Sequence, residues 1–449
     1  MRGTGCSTRW DDMSQLICLF GLGVFIALAW LIGDRRRVFP WRVVIGGLLL
    51  QFALAVVVLK TAAGKGFFEW IGAGFGAVMD SVAAGSGFLF KAGDDTALLQ
   101  TFAFGVLPTI VFFSSLMSIL YHLGVMQRVV GALAWVMRWT LGTSGAETLA
   151  AAANIFVGHT EAPLVIRPLL ATMTRSELNA LMVGGFSTVT GGLLGVYAGM
   201  GIDITHLLTA SVISAPAALL IAKVMVPETE PDRVLQQVSM FSASQVSNST
   251  ASSRGEPAAT AGEGEDEGDV NLIGAAVRGA SDGMKLALNV AAMLIAFLAL
   301  IALCDTMLAT LSRGAGWVVG REFVPVTIGQ VLGAFFAPLA WLMGVPVAEC
   351  ADAGRLIGVK TVANEFIAFA ELGEIAKGEP GRLSDRTIVV LTYALTGFSN
   401  FGAIGIQVGG IGGLAPNRRK ELASLGLRAM LGGTLACCMT GAIAGLVIG

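Results

Sequence analysis

The chain has 449 residues, of which 55% are hydrophobic and only 13% charged, and its formal net charge is −2. Uncharged runs of about 18 residues or more recur, long enough to cross roughly 30 Å of hydrocarbon, so the composition describes a polytopic membrane protein. No region is basic enough to suggest nucleic acid as a partner, and the 59 glycines, close to twice the usual share of about 7%, point to tightly packed and broken helices.

The first apolar run begins near Ser14 and extends to Gly33. It is longer than a signal-peptide core, lacks a small-residue cleavage site and has its positive charges after it, so it is expected to be a retained first span. Further continuous spans are expected near 41–60, 102–121, 177–201, 205–226, 285–304, 386–411 and 424–448, eight in all. Two apolar segments are interrupted: 146–174 by Glu161, Pro163, Arg167 and Pro168, and 325–373 by Pro338, Pro346, Glu349, Asp352, Lys360 and Glu365. Such interruptions suit re-entrant hairpins, whose irregular backbone must be buried in protein or line a water-filled cavity. Segments 66–92 and 124–142 are shorter or more amphipathic and are expected to lie flat at the interface.

Short basic loops orient the spans. "DRRRVFPWR" after the first span and "NRRKE" at 417–421 are both expected in the cytoplasm, which places both termini outside. The polar stretch 228–271 then falls in the cytoplasm, and its Ser, Ala, Gly and acidic content reads as a disordered linker. The expected division is 1–145, scaffold spans and interfacial helices; 146–226, first hairpin with its following spans; 227–284, linker; 285–324, scaffold span and external loop; and 325–449, second hairpin with its following spans.

The chain also repeats itself. A Glu-bearing interrupted segment, the polar turn "MTRSEL" and a helix with "GGFSTVTGG" (184–192) are matched by a second Glu-bearing segment, "GRLSDRT" and a helix with "GFSNFGAIG" (397–405). On the expected topology the two units are inverted, the build of secondary transporters that bind solute and ion where the repeats meet. A carboxylate at the bilayer centre costs on the order of 2.5–3.5 kcal/mol, and Glu161 and Glu365 stand at corresponding places. Taken singly, each Glu reads equally as a cap on a helix break or as a partner of Arg167 or Lys360; their matched positions favour a lining. Asn154, Thr160, Ser187, Thr188, Asn364, Ser399 and Asn400 join them, and Phe186, Phe366, Phe369, Phe398 and Phe401 offer ring faces. That set suits a neutral, polar, ring-containing solute.

Enzyme readings find little support. His122, His159 and His206 are scattered, no HExxH or Walker motif occurs, and the six cysteines (Cys6, Cys18, Cys304, Cys350, Cys437 and Cys438) form no CxxC and suit packing.

At "AANIFVGHTEAPLVIRPLL", "GGFSTVTGGLLGVYAGMG", "GASDGMKLALNVAAMLIAFLALI", "GVKTVANEFIAF" and "YALTGFSNFGAIGIQVGGIGGLAPNRR" the sequence resembles the concentrative nucleoside transporter family, from about residue 14 to the C terminus apart from the linker. The resemblance implies an all-α fold of eight transmembrane helices, two opposed re-entrant hairpins and interfacial helices. It further implies a homotrimer in the inner (plasma) membrane and cation-coupled nucleoside symport by elevator-like movement. By position, Thr160 and Glu161 match the motif that reads the nucleobase. Glu365 and Asn400 match residues that hold the ribose, Phe398 lines the pocket, and Leu193 completes the substrate set. Asn154, Val157, Thr188 and Val189 match the family's sodium site, which the resemblance implies lies between the first hairpin tip and an unwound fourth span.

Two positions depart from the family pattern. His159 stands where the family commonly has Gln, which changes the groups offered to a base edge, and it reads either as a base contact or as a hydrogen bond to the hairpin backbone. Ala403 stands where relatives often carry a Ser near the ribose. The coupling ion is expected to be Na+, with H+ as the alternative. A non-transporting nucleoside-binding sensor is the competing reading from another class.

Overall fold

The helix starts follow local chemistry. A Ser or Thr ahead of an apolar run, with Glu or Gln three residues later, lets each side chain satisfy the other's free backbone N–H. Ser144 and Glu147 open one helix this way (2.7 and 3.4 Å), Thr174 and Glu177 a second (2.8 and 3.2 Å), and Thr327 and Gln330 a third (3.1 and 3.2 Å). In the computed structural model, which describes residues 4–34, 36–90, 107–159, 161–230, 271–319, 326–378 and 382–448, no strand occurs among the described residues.

In chain order the α-helices are α1 (Thr4–Ile32), α2 (Trp41–Lys60), α3 (Ala62–Phe90), α4 (Leu107–His122), α5 (Val125–Leu141), α6 (Gly145–Ala153) and the short α7 (Ala162–Val165). Then come α8 (Arg175–Ser187), α9 (Gly191–Gly199), α10 (Ile204–Met225), α11 (Leu272–Val319), α12 (Ile328–Leu342), α13 (Cys350–Val362), α14 (Glu365–Gly378), α15 (Asp385–Leu395), α16 (Phe401–Leu414) and α17 (Arg419–Ile448). The core sits where α17 packs on α1, α8, α10, α15 and α16. Helix α8 is buried from Ser176 to Ser187.

Six helical segments among the described residues are long and apolar enough to cross a bilayer: Met13–Ile32, Trp41–Lys60, Arg175–Gly199, Ile204–Met225, Leu272–Arg313 and Pro416–Ile448. A seventh arises if α4 and α5, bent by 78° at their junction, form one span. Of the expected spans, 102–121 has its first residues outside the described ones.

Several expected boundaries need correction. The segments 177–201 and 386–411 are not continuous helices. The first breaks between α8 and α9, where Thr188 turns extended (φ −126°, ψ 162°), the Ser187 and Thr188 hydroxyls both donate to the Gly184 carbonyl (3.1 and 2.9 Å), and Thr190 then caps α9. The second breaks between α15 and α16, where Gly397 has φ 144° and the Asn400 side chain accepts from the Ala403 N–H at 2.8 Å to start α16. The span expected at 285–304 is the middle of the 48-residue α11, so the linker gives way to helix at Leu272, well before 284. Segment 66–92 lies mostly in α3, a single helix of 29 residues separated from α2 by Thr61 alone. Residues 231–270 of the expected linker lie outside the described residues.

The two basic loops stand at one end of the molecule. Asp34, after α1, pairs with Arg428 at 2.5 Å and Arg175 at 3.2 Å, and Arg418 pairs with Glu421 at 2.7 Å while donating to the Met173 carbonyl at 2.5 Å. Helix α11 is the opposite of the core: it packs chiefly along α4, and its apolar stretch is left largely uncovered.

Candidate functional site

The breaks in the helices bring the polar residues together. Glu365 is the first residue of α14 and is 4% exposed, held there because the Asn364 side chain accepts from the Ile367 N–H at 3.0 Å and caps the helix. Its two carboxylate oxygens take different partners. Tyr197 of α9 donates its hydroxyl to Oε1 at 3.1 Å, and Asn400 donates Nδ2 to Oε2 at 3.4 Å. Asn400 thus spends its carbonyl on the start of α16 and turns its amide toward the carboxylate.

Tyr197 is fully buried and fixed by rings: it stacks on Phe369 at 4.4 Å and meets Phe366 edge-on at 6.0 Å. The pairing with Lys360 offered as one reading of Glu365 is not what the structure shows. Lys360 donates instead to the Ala394 carbonyl at 2.9 Å. Glu161 likewise makes no ion pair with Arg167 and accepts from the Gly158 N–H at 3.3 Å.

His159 lies against Phe398, the rings edge to face with centroids 4.8 Å apart, and neither ring nitrogen has a hydrogen-bond partner among the described residues. The expectation of a bond from His159 to the hairpin backbone is therefore not met. Close approach explains its seat: a Cβ on Gly185 would come 2.6 Å from His159 Cβ and 2.8 Å from Gln407 Nε2. Gln407, fully buried, donates to the Met182 carbonyl at 3.3 Å and leaves its Oε1 unpartnered. Leu193 and Ala403 are both 2% exposed, in the first turns of the half-helices α9 and α16. Thr160 lies outside the described residues.

The residues matched to the sodium site also converge. Asn154, directly after α6, is 1% exposed with both side-chain polar atoms unpartnered, and its Nδ2 would lie 2.9 Å from a Cβ on Gly184. Thr188 hangs from the same Gly184 carbonyl, and the Gly191 N–H donates to the Phe156 carbonyl at 2.8 Å, stitching segment 154–157 to the break after α8. Val157 and Val189 are buried in those two segments. An orphaned carboxamide oxygen beside a hydroxyl and irregular backbone is a donor set that fits a hard cation.

Tyr197 and Gln407 are the residues that sequence reading missed. The only signal for Gln407 was a lone polar side chain in an apolar Gly-rich helix; Tyr197 carried none.

Bilayer-length helical segments, with helix breaks beside the buried Glu365, Asn400 and Asn154, mark a multi-pass membrane transporter. Three family profiles match in order: "Na+ dependent nucleoside transporter N-terminus" over residues 20–92, "Nucleoside recognition" over 103–203 and "Na+ dependent nucleoside transporter C-terminus" over 206–445. An uncharacterized transporter of Bacillus subtilis, YutK, is 42% identical over 97% of this chain and 100% of its own. The mouse sodium/nucleoside cotransporter 1 is 37% identical over 96% of this chain and 64% of its own. Among solved structures, CNTnw in an inward-facing substrate-bound state is similar with TM-score 0.83 at 39% identity, covering 97% of this chain and 98% of that one. A CNTnw variant in an outward-facing state gives 0.84 at 38% identity, covering 97% and 99%. The chain belongs to the concentrative nucleoside transporter family, whose members are transporters and not enzymes.

Proposed function

We propose that this protein is a sodium-coupled nucleoside symporter working by elevator-type alternating access. Glu365 and Asn400 hold the ribose hydroxyls, Phe398, Leu193 and Ala403 shape the pocket, and His159, Thr160 and Glu161 face the nucleobase. Asn154, Val157, Thr188 and Val189 take the sodium ion. The observation that carries this reading is the buried Tyr197–Glu365–Asn400 network, which aims a carboxylate and a carboxamide from two separate breaks at one place. A carboxylate that remains an acceptor is suited to paired sugar hydroxyls. The orphaned polar atoms of Asn154 support the sodium assignment, as does the family's Na+-dependent description.

The two interrupted segments act as opposed re-entrant hairpins in inverted repeats, within the domain division set out from the sequence, its linker shortened to end before Leu272. The apolar, largely uncovered α11 supports a homotrimer that buries it against its copies. The setting is the inner membrane, with eight spans and both termini outside.

The test is uptake of labelled uridine and adenosine by proteoliposomes of the purified protein, with an inward sodium gradient and then with choline in place of sodium at fixed pH. Accumulation above equilibrium that needs sodium supports the proposal. Accumulation that follows a proton gradient without sodium replaces the ion, and saturable binding with no accumulation under either gradient replaces transport with sensing.

A further inference from the structure

Helix α5 meets α4 at 78°. With α4 in the bilayer, a helix set at that angle runs along the membrane surface. Met126, Val130, Met137 and Leu141 form its buried stripe. Its exposed face carries Arg128, Trp135, Arg138 and Trp139, whose spacing of seven, ten and eleven residues puts them on one side of the helix. Trp135 and Trp139 are 70% and 76% exposed.

The end of α5 lies against the start of α2. A Cβ on Gly46 would come 2.8 Å from the Thr140 carbonyl oxygen, and one on Gly142, the left-handed residue that ends α5 (φ 67°), would come 2.6 Å from Arg42 Cζ. The Arg42 guanidinium therefore sits at the carbonyl end of α5, one turn from Arg138. The negative end of the helix dipole holds it there without cancelling its charge. Trp41, beside it in the chain, is 66% exposed.

The arginines at this end of the molecule fall into two groups. Arg175, Arg418 and Arg428 pair with Asp34 or Glu421. Arg37, Arg42, Arg128 and Arg138 form no ion pair among the described residues, and the sequence holds no Asp or Glu from 35 to 68 or from 107 to 146. Uncompensated guanidinium groups among exposed indoles at the membrane surface match one chemistry. Arg takes two phosphate oxygens at once, and an indole settles at headgroup depth.

We propose that Arg42 and Arg138, flanked by Trp41 and Trp139, bind the headgroup of an anionic phospholipid at the membrane face that carries the basic loops, with Arg37 and Arg128 extending the positive field. A zwitterionic headgroup brings its own ammonium to the phosphate and suits the site less. The inference rests on the membrane placement given above and is independent of which solute or ion is carried.

The experiment counts lipid retained per protomer by native mass spectrometry, after the detergent-purified protein is offered phosphatidylglycerol, phosphatidylcholine or inorganic phosphate. Wild type is expected to hold phosphatidylglycerol about tenfold more tightly than phosphatidylcholine, less so as salt rises. Replacing both Arg42→Gln and Arg138→Gln should bring the two lipids level, whereas Lys285→Gln, which removes a cation already paired with Asp282, should change nothing. Equal retention of the two lipids by the wild type would overturn the inference, and that comparison decides even if the double variant fails to fold. A preference that survives in the folded double variant overturns it too, as does displacement of the lipid by inorganic phosphate at equal concentration. In liposomes, brominated phosphatidylglycerol should quench tryptophan fluorescence more than brominated phosphatidylcholine, and Trp139→Phe should shrink the difference. If neither brominated lipid quenches Trp139, α5 does not lie on the membrane, and the placement falls together with the inference.

Discussion

Tyr197 and Glu365 are 168 residues apart in the chain and share a buried hydrogen bond of 3.1 Å, joining the helix after the first break to the tip of the second interrupted segment. A hydrogen bond to a charged group contributes about 1.5–3 kcal/mol, more than a neutral pair. Tyr197→Phe keeps the stack on Phe369 and removes only the donor. The KM for uridine should rise about tenfold, since roughly 1.4 kcal/mol is one decade. Initial-rate uptake measures it, and an unchanged KM would mean that Glu365 holds its place without Tyr197.

Glu365→Gln preserves size and removes the charged acceptor facing Tyr197 and Asn400. Uridine uptake should fall at least tenfold, about 1.4 kcal/mol or more of lost binding, while the elution of the purified assembly stays unchanged. Uptake near the wild-type rate would remove Glu365 from the ribose site.

His159 presents unpartnered ring nitrogens beside Phe398. Replacing it by Gln exchanges one donor and one acceptor for an amide of different geometry. A change of about 1 kcal/mol in one hydrogen bond would move the ratio of adenosine to uridine uptake roughly fivefold. Competition uptake reads the ratio; if the variant leaves it where it was, His159 does not contact the base.

Away from the solute, Lys223 of α10 meets Glu147 of α6 at 2.5 Å and the Ser176 hydroxyl at 2.9 Å, with the two charged side chains 5% and 1% exposed. Breaking such a pair leaves an uncompensated buried charge at a cost of about 3–5 kcal/mol. Lys223→Met should lower the unfolding temperature in detergent markedly, and adding Glu147→Gln should restore most of the loss. A double variant no better than the single one would show that the pair does not stabilise the fold in this way.

Gly397 has φ 144°, where a side chain is strained, and an added Cβ would come 2.7 Å from Cys437 Sγ and 2.8 Å from the Phe186 carbonyl oxygen. Gly397→Ala should cost about 1–3 kcal/mol through backbone strain alone. It should also displace Asn400, three residues on, so the yield of folded protein and the uridine affinity should fall together. Gly405→Ala, with no atom within 4 Å of its added Cβ, is the control and should behave as wild type.

Hydropathy, the paired Gly-Phe-Ser stretches and the two interrupting glutamates were all legible in the sequence, because each depends on composition or on short local patterns. The break after Ser187 was expected only from the family resemblance, since the residues around it remain as apolar as a continuous span. At the break the Ser187 and Thr188 hydroxyls both donate to the Gly184 carbonyl. Tyr197 against Glu365, Gln407 beside His159 across Gly185, and Lys360 turning to Ala394 and away from the nearby glutamate were decided by packing alone. Chain positions so far apart leave no period in the sequence. In an apolar interior, where an unsatisfied polar atom costs far more than in water, the partner that the packing brings within reach is the one taken.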